Sequence, residues 1–172
     1  MPDPRPGIDP HDFRRALGSF GTGVTVITAV AGDGRRVGLT ANSFASVSLS
    51  PPLVLWSLVV HSPSLSVFQE AGYFAVNVLG RHQEHVARHF ARSAADKFAT
   101  VAWTPGRGGA PLIDGSVARF ECRNTDRYYG GDHVIFLGAV ESYSYDDREP
   151  LIFCRGAFGS FTPTVDVTPS GS

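Results

Sequence analysis

Val24-Thr25-Val26-Ile27-Thr28-Ala29-Val30, Gly32-Asp33-Gly34 and Val37-Gly38-Leu39-Thr40 follow one another near the start of the chain. The first run is β-branched and apolar, the second is a turn built on two glycines, and the third is again apolar. Together they predict a β-hairpin. Further along, residues 43–49 read Ser-Phe-Ala-Ser-Val-Ser-Leu, an approximate period of two with Phe44 and Val47 slightly out of phase. Ser50-Pro51-Pro52 breaks that strand, and residues 53–60 form an apolar run of buried-strand length. A short helix is predicted from Ser62-Pro63-Ser64 to Glu70, a strand at 73–79 and a helix at 83–90. A Gly/Pro-rich loop fills 103–114. Two long strands, 116–124 and 133–143, are joined through Tyr128-Tyr129-Gly130-Gly131-Asp132, and a last strand lies at 151–154. Upstream, Asp9-Pro10-His11-Asp12 reads as a capped helix start, with Phe13, Ala16 and Leu17 on one face and Gly18 to Gly23 ending it. Many short strands broken by turns favour a mainly β barrel or sandwich over a doubly wound parallel sheet. Closure would also hide strand edges.

The 172 residues suit one domain, expected over 9–161, with a disordered Pro-rich stretch at 1–8 and a loose tail at 162–172. Fifteen Lys and Arg against sixteen Asp and Glu give a net charge of −1. That excludes a field-driven nucleic-acid binder. The apolar run at 53–60 is far short of the roughly twenty residues of a membrane helix. Two cysteines with no C-x-x-C spacing fit a reduced compartment. A soluble cytoplasmic protein is the expectation.

Gly21-Thr22-Gly23 lacks the third glycine of a dinucleotide fingerprint, and its helix–loop–strand order is the wrong one. His82, His85 and His89 fall on one face of the 83–90 helix. Without a matching carboxylate, a solvated face is the better reading, and no metal site is expected. Three other clusters carry more information. Thr40-Ala41-Asn42-Ser43 places hydroxyls and an amide where a core would use Val or Ile. It suits either a heterocycle edge or phosphate, or a capped turn. His61-Ser62-Pro63-Ser64 opens a helix, so its serines are caps or anion donors. Gly130-Gly131-Asp132-His133 is a hairpin turn with an incidental histidine, or a close approach to a ligand. No triad, carboxylate pair or P-loop competes with them.

Read in order, these blocks resemble the short-chain flavin reductases, the reductase components of two-component flavin-dependent monooxygenases. The resemblance runs through Gly21-Thr22-Gly23-Val24-Thr25-Val26, Gly38-Leu39-Thr40-Ala41-Asn42-Ser43-Phe44, Ser46-Val47-Ser48-Leu49 and Pro51-Pro52-Leu53-Val54. It continues through Phe74-Ala75-Val76-Asn77-Val78-Leu79, Phe90-Ala91, Gly109-Ala110-Pro111-Leu112 and Gly131-Asp132-His133, and it spans residues 13–161. It implies an antiparallel, Greek-key-like FMN-binding split barrel with a few short flanking helices, and a homodimer with flavin near the subunit interface. It also implies NADH, in preference to NADPH, as the hydride source for FAD or FMN, with reduced flavin passing to a separate monooxygenase. Residue by residue, the implied flavin contacts are Thr40, Ala41, Asn42, Ser43, Ser57, Leu58, His61, Ser62, Ser64, Lys97 and Phe98. Gly131, Asp132 and His133 are the implied nicotinamide contacts, with His133 as the catalytic residue. One departure stands out: His61 occupies a place where relatives often carry Asn or Arg. Such chemistry needs no protein nucleophile, because the cofactors carry it. The rival from another class is a split barrel that holds flavin or haem without turnover. A pyridoxamine phosphate oxidase-like activity on the same fold lacks sequence support.

Overall fold

The protein is described from a computed structural model over residues 7–164. The segments expected to be loose therefore lie mostly outside the described residues. A central antiparallel sheet has seven strands: β2 (Thr25–Val30), β3 (Arg36–Ala41), β4 (Ala45–Leu49), β5 (Pro52–Val59), β6 (Tyr73–Val78), β9 (Ala118–Gly130) and β10 (His133–Tyr145). Their spatial order is β3-β2-β6-β9-β10-β5-β4. The two edge strands, β3 and β4, are consecutive in the chain and separated only by Asn42, Ser43 and Phe44. Laid flat, seven strands would hold their edges about 29 Å apart. The four Cα steps from Ala41 to Ala45 reach at most about 14 Å. The sheet must therefore curl on itself, and it is a split barrel.

The barrel is filled by alternation. Val54, Trp56 and Leu58 of β5 and Val134 and Phe136 of β10 are buried, while Leu53, Leu55, Ser57, Ile135 and Leu137 between them are half-buried. Trp56 stacks on Phe136 with ring centroids 4.7 Å apart and meets Phe68 and Phe74 edge-on. β2 is buried on both faces. Its outer face joins a second cluster with Leu79, Ile113 and the helix α3 (Glu84–Phe90). Inside the barrel, Gly138 of β10 has room only for hydrogen: a Cβ would stand 2.4 Å from the Phe74 ring.

The remaining elements decorate this frame. Helix α1 (Pro10–Leu17) starts as expected, with Asp9 accepting the His11 N–H at 2.8 Å. It buries none of its residues. Helix α2 (Leu65–Glu70) is shorter than expected, and neither serine before it forms a side-chain cap. Strand β1 (Thr22–Gly23) pairs with β11 (Leu151–Cys154), which returns as β12 (Ala157–Ser160) through Arg155 and Gly156, both at positive φ.

The 103–114 segment is a small hairpin rather than a loop: β7 (Trp103–Pro105) pairs with β8 (Pro111–Ile113). Buried Asn77 pins it, donating to the Val26 and Pro111 carbonyls and accepting the Ile113 N–H at 2.8 Å. Strand β9 also runs six residues past its expected end, so Tyr128 and Tyr129 belong to the strand, and the turn is only Gly131-Asp132. No described helix is long and apolar enough to cross a membrane.

Candidate flavin and nicotinamide site

At the β3–β4 corner the hydroxyls are already committed. Thr40 Oγ1 donates to the Ala87 carbonyl of α3 at 2.6 Å, and Thr25 Oγ1 donates to the Ala41 carbonyl at 2.7 Å. Ser43 Oγ accepts the Ser57 N–H at 2.9 Å and donates to the Ser57 carbonyl at 3.1 Å. That reciprocal clamp ties the split edge of the barrel to β5. A hydroxyl has one proton, so Ser43 cannot also donate to a phosphate without releasing Ser57. Asn42 differs: it is exposed, and its amide has no partner among the described residues. It borders a cavity of about 210 Å³ with Thr40 and Ala41, walled by Val24, Phe153 and Phe158. A free donor–acceptor edge beside apolar walls fits a flavin ring or ribityl chain.

Of the downstream residues, Ser57 lies on the outer face of β5, while Leu58 is buried in the barrel and can offer a ligand only its backbone. Ser62 Oγ accepts the Ser64 N–H at 3.3 Å. Ser64 then lines a second cavity of about 210 Å³, together with Lys97, Phe98, Arg35 and Arg36. Lys97 Nζ donates to the Gly38 and Phe90 carbonyls at 3.1 and 2.9 Å, and its own carbonyl meets His89 Nε2 at 2.7 Å. Burial lowers its pKa below the ordinary lysine value. Phe98 packs edge-on against Phe90 and Trp103. The cavities sit at opposite ends of β3, and the residues present fit a molecule with an apolar ring and an anionic tail. Arg35 and Arg36 escaped the sequence reading. Two adjacent arginines directly after a hairpin turn were the available signal.

The third cluster lies at the β9–β10 turn, where Gly131 has φ +66°. Asp132 Oδ1 lies 2.7 Å from His133 Nδ1. Strand alternation argues against such contact between neighbours, but Asp132 is in the turn, where alternation does not hold. The Asp132 carbonyl accepts the Val60 N–H at 2.9 Å. The hydrogen bond to His133, then the nearby imidazole charge, holds the Asp132 carboxyl below its ordinary pKa; His61 acts more weakly in the same direction. His133 pairs in register with Val59, two residues beyond the clamped Ser57. Those two residues span about 7 Å of strand. Strand β5 thus brings the Asn42 corner, His61 and the Asp132–His133 pair to one end of the barrel. The His82/His85/His89 stripe does not form as expected, because His82 lies in the 3₁₀ turn Arg81–Gln83 ahead of α3. His89 is engaged by Lys97.

An antiparallel split barrel with a ring-sized cavity, a cationic cavity and a carboxylate-held imidazole defines a cofactor-handling barrel. Residues 17–162 match the flavin reductase like domain, and the chain belongs to that family. It is 45% identical over 156 residues to the FMN reductase (NADH) SmoA of Agrobacterium fabrum, covering 91% of this chain and 88% of that one. It is 43% identical to the monooxygenase reductase subunit HsaB of Mycobacterium tuberculosis, covering 91% and 84%. The NADH:FAD oxidoreductase SgcE6 of Streptomyces globisporus, solved with NAD and FAD fragments, superposes with a TM-score of 0.86. That match has 46% identity and covers 92% of this chain and 98% of that one. Some longer relatives, such as a probable flavin reductase of Rhizobium meliloti, are matched over only half their length.

Proposed function

We propose that the chain is an NADH-dependent flavin reductase that reduces FAD or FMN and releases it to a separate flavin-dependent monooxygenase. The observation that carries this reading is the Asp132–His133 pair, registered two residues from the Ser43–Ser57 clamp beside the Asn42 cavity. The bound flavin and nicotinamide supply the hydride chemistry. The chain's own work is placement. Asn42 hydrogen-bonds the flavin edge, Lys97 attracts its phosphate, and the Ser43 clamp holds the corner that carries Asn42. With Nδ1–H donated to Asp132, His133 presents Nε2 to the nicotinamide side and keeps one ring orientation. A barrel that merely stores flavin has no use for such a pair.

The test is NADH oxidation followed at 340 nm with and without added flavin. Acceleration by flavin is expected, faster with NADH than with NADPH. No acceleration over the flavin-free rate would turn the reading toward a carrier. A homodimer is part of the same reading. It is supported by the uncovered apolar side chains of edge strand β4 and helix α1.

A further inference from the structure

We propose that the cavity between helix α1 and the β11–β12 turn, lined by Arg14, Arg15 and Arg155, docks an acidic segment of the oxygenase that receives reduced flavin. This rests on the flavin reductase reading above and gives that partner a place on the surface.

The cavity measures about 780 Å³ and is lined by the three arginines, His11 and a single carboxylate, Asp12. None of the three guanidinium groups has an ion-pair or hydrogen-bond partner among the described residues. The chain as a whole carries a net charge of −1, so this gathering of cations is local. Two elements supply it. His11, Arg14, Arg15 and Gly18, spaced i, i+3, i+4 and i+7, share one face at α1 and its end. Arg155 comes from the hairpin turn, which is tied to the end of the helix. Its N–H and the Cys154 thiol both donate to the Gly18 carbonyl, at 2.7 and 3.7 Å.

Arg155 is also the one described non-glycine residue with positive φ, at +51°. In the two-residue loop Arg155-Gly156, Asn, Asp or Gly would hold that conformation with less crowding of Cβ against the backbone. The turn gains nothing from arginine that asparagine would not give, which leaves the guanidinium as the reason for it.

The lining suits a peptide better than other anions. Phosphate and nucleic-acid backbones present acceptors only, and Asp12 repels them. An acidic peptide presents carboxylates to the arginines and backbone N–H groups to Asp12. No Phe, Tyr or Trp lines the cavity to stack a base. Position then points to the partner. Phe153 and Phe158, on the same hairpin as Arg155, wall the Asn42 cavity. A protein seated on the turn stands beside the place where flavin is held.

The experiment measures binding of a dye-labelled hexaglutamate peptide by fluorescence anisotropy at low salt, with hexaglutamine as the uncharged control. The proteins are the wild type, Arg14→Gln/Arg155→Asn and, as a change at another cationic surface, Arg35→Gln/Arg36→Gln. Hexaglutamate binds the wild type and hexaglutamine does not. Arg14→Gln/Arg155→Asn weakens binding about tenfold, the scale of two exposed ion pairs lost together. Arg35→Gln/Arg36→Gln leaves it unchanged. Because asparagine keeps the turn, Arg14→Gln/Arg155→Asn melts no lower than the wild type and retains its mass and its flavin-dependent NADH oxidation. Equal peptide affinity in that variant and the wild type, or a loss at Arg35→Gln/Arg36→Gln instead, overturns the docking assignment. Displacement of the peptide by millimolar inorganic phosphate does the same, and so does tighter binding of an oligothymidylate, which gives the face to nucleic acid. A fall in mass or in NADH oxidation in Arg14→Gln/Arg155→Asn also overturns it, by placing the arginines in the dimer or the cofactor site. If no flavin accelerates NADH oxidation in the wild type, the reductase reading falls, and the oxygenase falls as the partner even where hexaglutamate binds.

Discussion

In the proposed site Asn42 offers an amide without a partner among the described residues, and His133 offers Nε2 once its Nδ1 is paired with Asp132. Thr40 and Ser43 have their protons engaged by Ala87 and Ser57, so replacing them acts first on the fold. Asn42 has its amide free. Asn42→Ala is therefore expected to weaken flavin binding by about 1–2 kcal/mol, roughly tenfold, with the melting temperature unchanged. A fluorescence titration beside a thermal melt checks both halves, and unchanged affinity would remove Asn42 from the site. For His133, replacement by Ala is expected to raise the NADH KM about tenfold, lower kcat, or both, with flavin affinity unmoved. Asp132→Asn should act in the same direction and more weakly, and the double variant should not add, since both changes break one pair. The pH dependence follows from the sign of the Asp132 shift. Its folded pKa lies below the ordinary carboxylate value. The support it gives His133 is therefore complete above the ordinary carboxylate range and is lost only as the pH falls through the lowered value. The carboxyl therefore stays ionised throughout the neutral range, and its own titration should add no step to the pH profile of the NADH KM there. Sequence could flag these residues as types, but it could not show which hydroxyls were free. Hydroxyl partners such as Ala87 lie 47 residues away.

The β2–β3 hairpin, β5 and β10 were legible because their apolar periodicity and turn glycines agree with their burial. The β7–β8 hairpin was not. Its strands are three residues long and proline-bounded, and it is fixed by Asn77 from β6, a contact that no local pattern encodes. The end of β9 was missed for a related reason: Asp126 to Gly130 is exposed, so no alternation marks it, and only pairing with β10 extends it. Gly138 likewise looks like an ordinary strand glycine until Phe74 is placed over it. Gly138→Ala would put a methyl into that ring and into Cys122 Cβ at 2.9 Å. Both obstacles belong to the packed core, so relief requires the barrel wall to shift. A loss of about 1–3 kcal/mol is expected, read by urea unfolding as a lower midpoint at unchanged slope. Gly131→Ala meets no neighbour but must hold φ +66°. It should cost about 1 kcal/mol through backbone strain alone. The pair of variants separates crowding from conformation.

Across the whole molecule, the apolar surface left open is unevenly placed. Leu49 is 94% exposed and Val47 47% on edge strand β4, and Phe20, Leu17 and Phe13 stand out at 80%, 58% and 52% along and just after α1. Helix α1 buries nothing of its own despite an apolar face. Edge strands of soluble proteins ordinarily carry charge, proline or cover. β4 offers Ala45-Ser46-Val47-Ser48-Leu49 without a charged residue. The half-buried face of β5 and β10, with Leu55, Ile135 and Leu137, continues from it. In the homodimer proposed above the occupant is a second copy of the same chain, because a self-complementary apolar patch can close as a two-fold dimer. Light scattering is expected to give twice the 18.4 kDa chain mass at micromolar concentration. Leu49→Asp should shift that mass toward one chain, because it places a charge in an interface that excludes water. The same variant should also lose flavin affinity: the Asn42 corner leads directly into β4, so separation of the copies would expose the cavity edge. A Leu49→Asp protein that stayed dimeric would move the interface to the α1 side, where Phe20→Asp then becomes the deciding variant. A wild type that ran as a single chain would end the dimer proposal and leave β4 as an open edge.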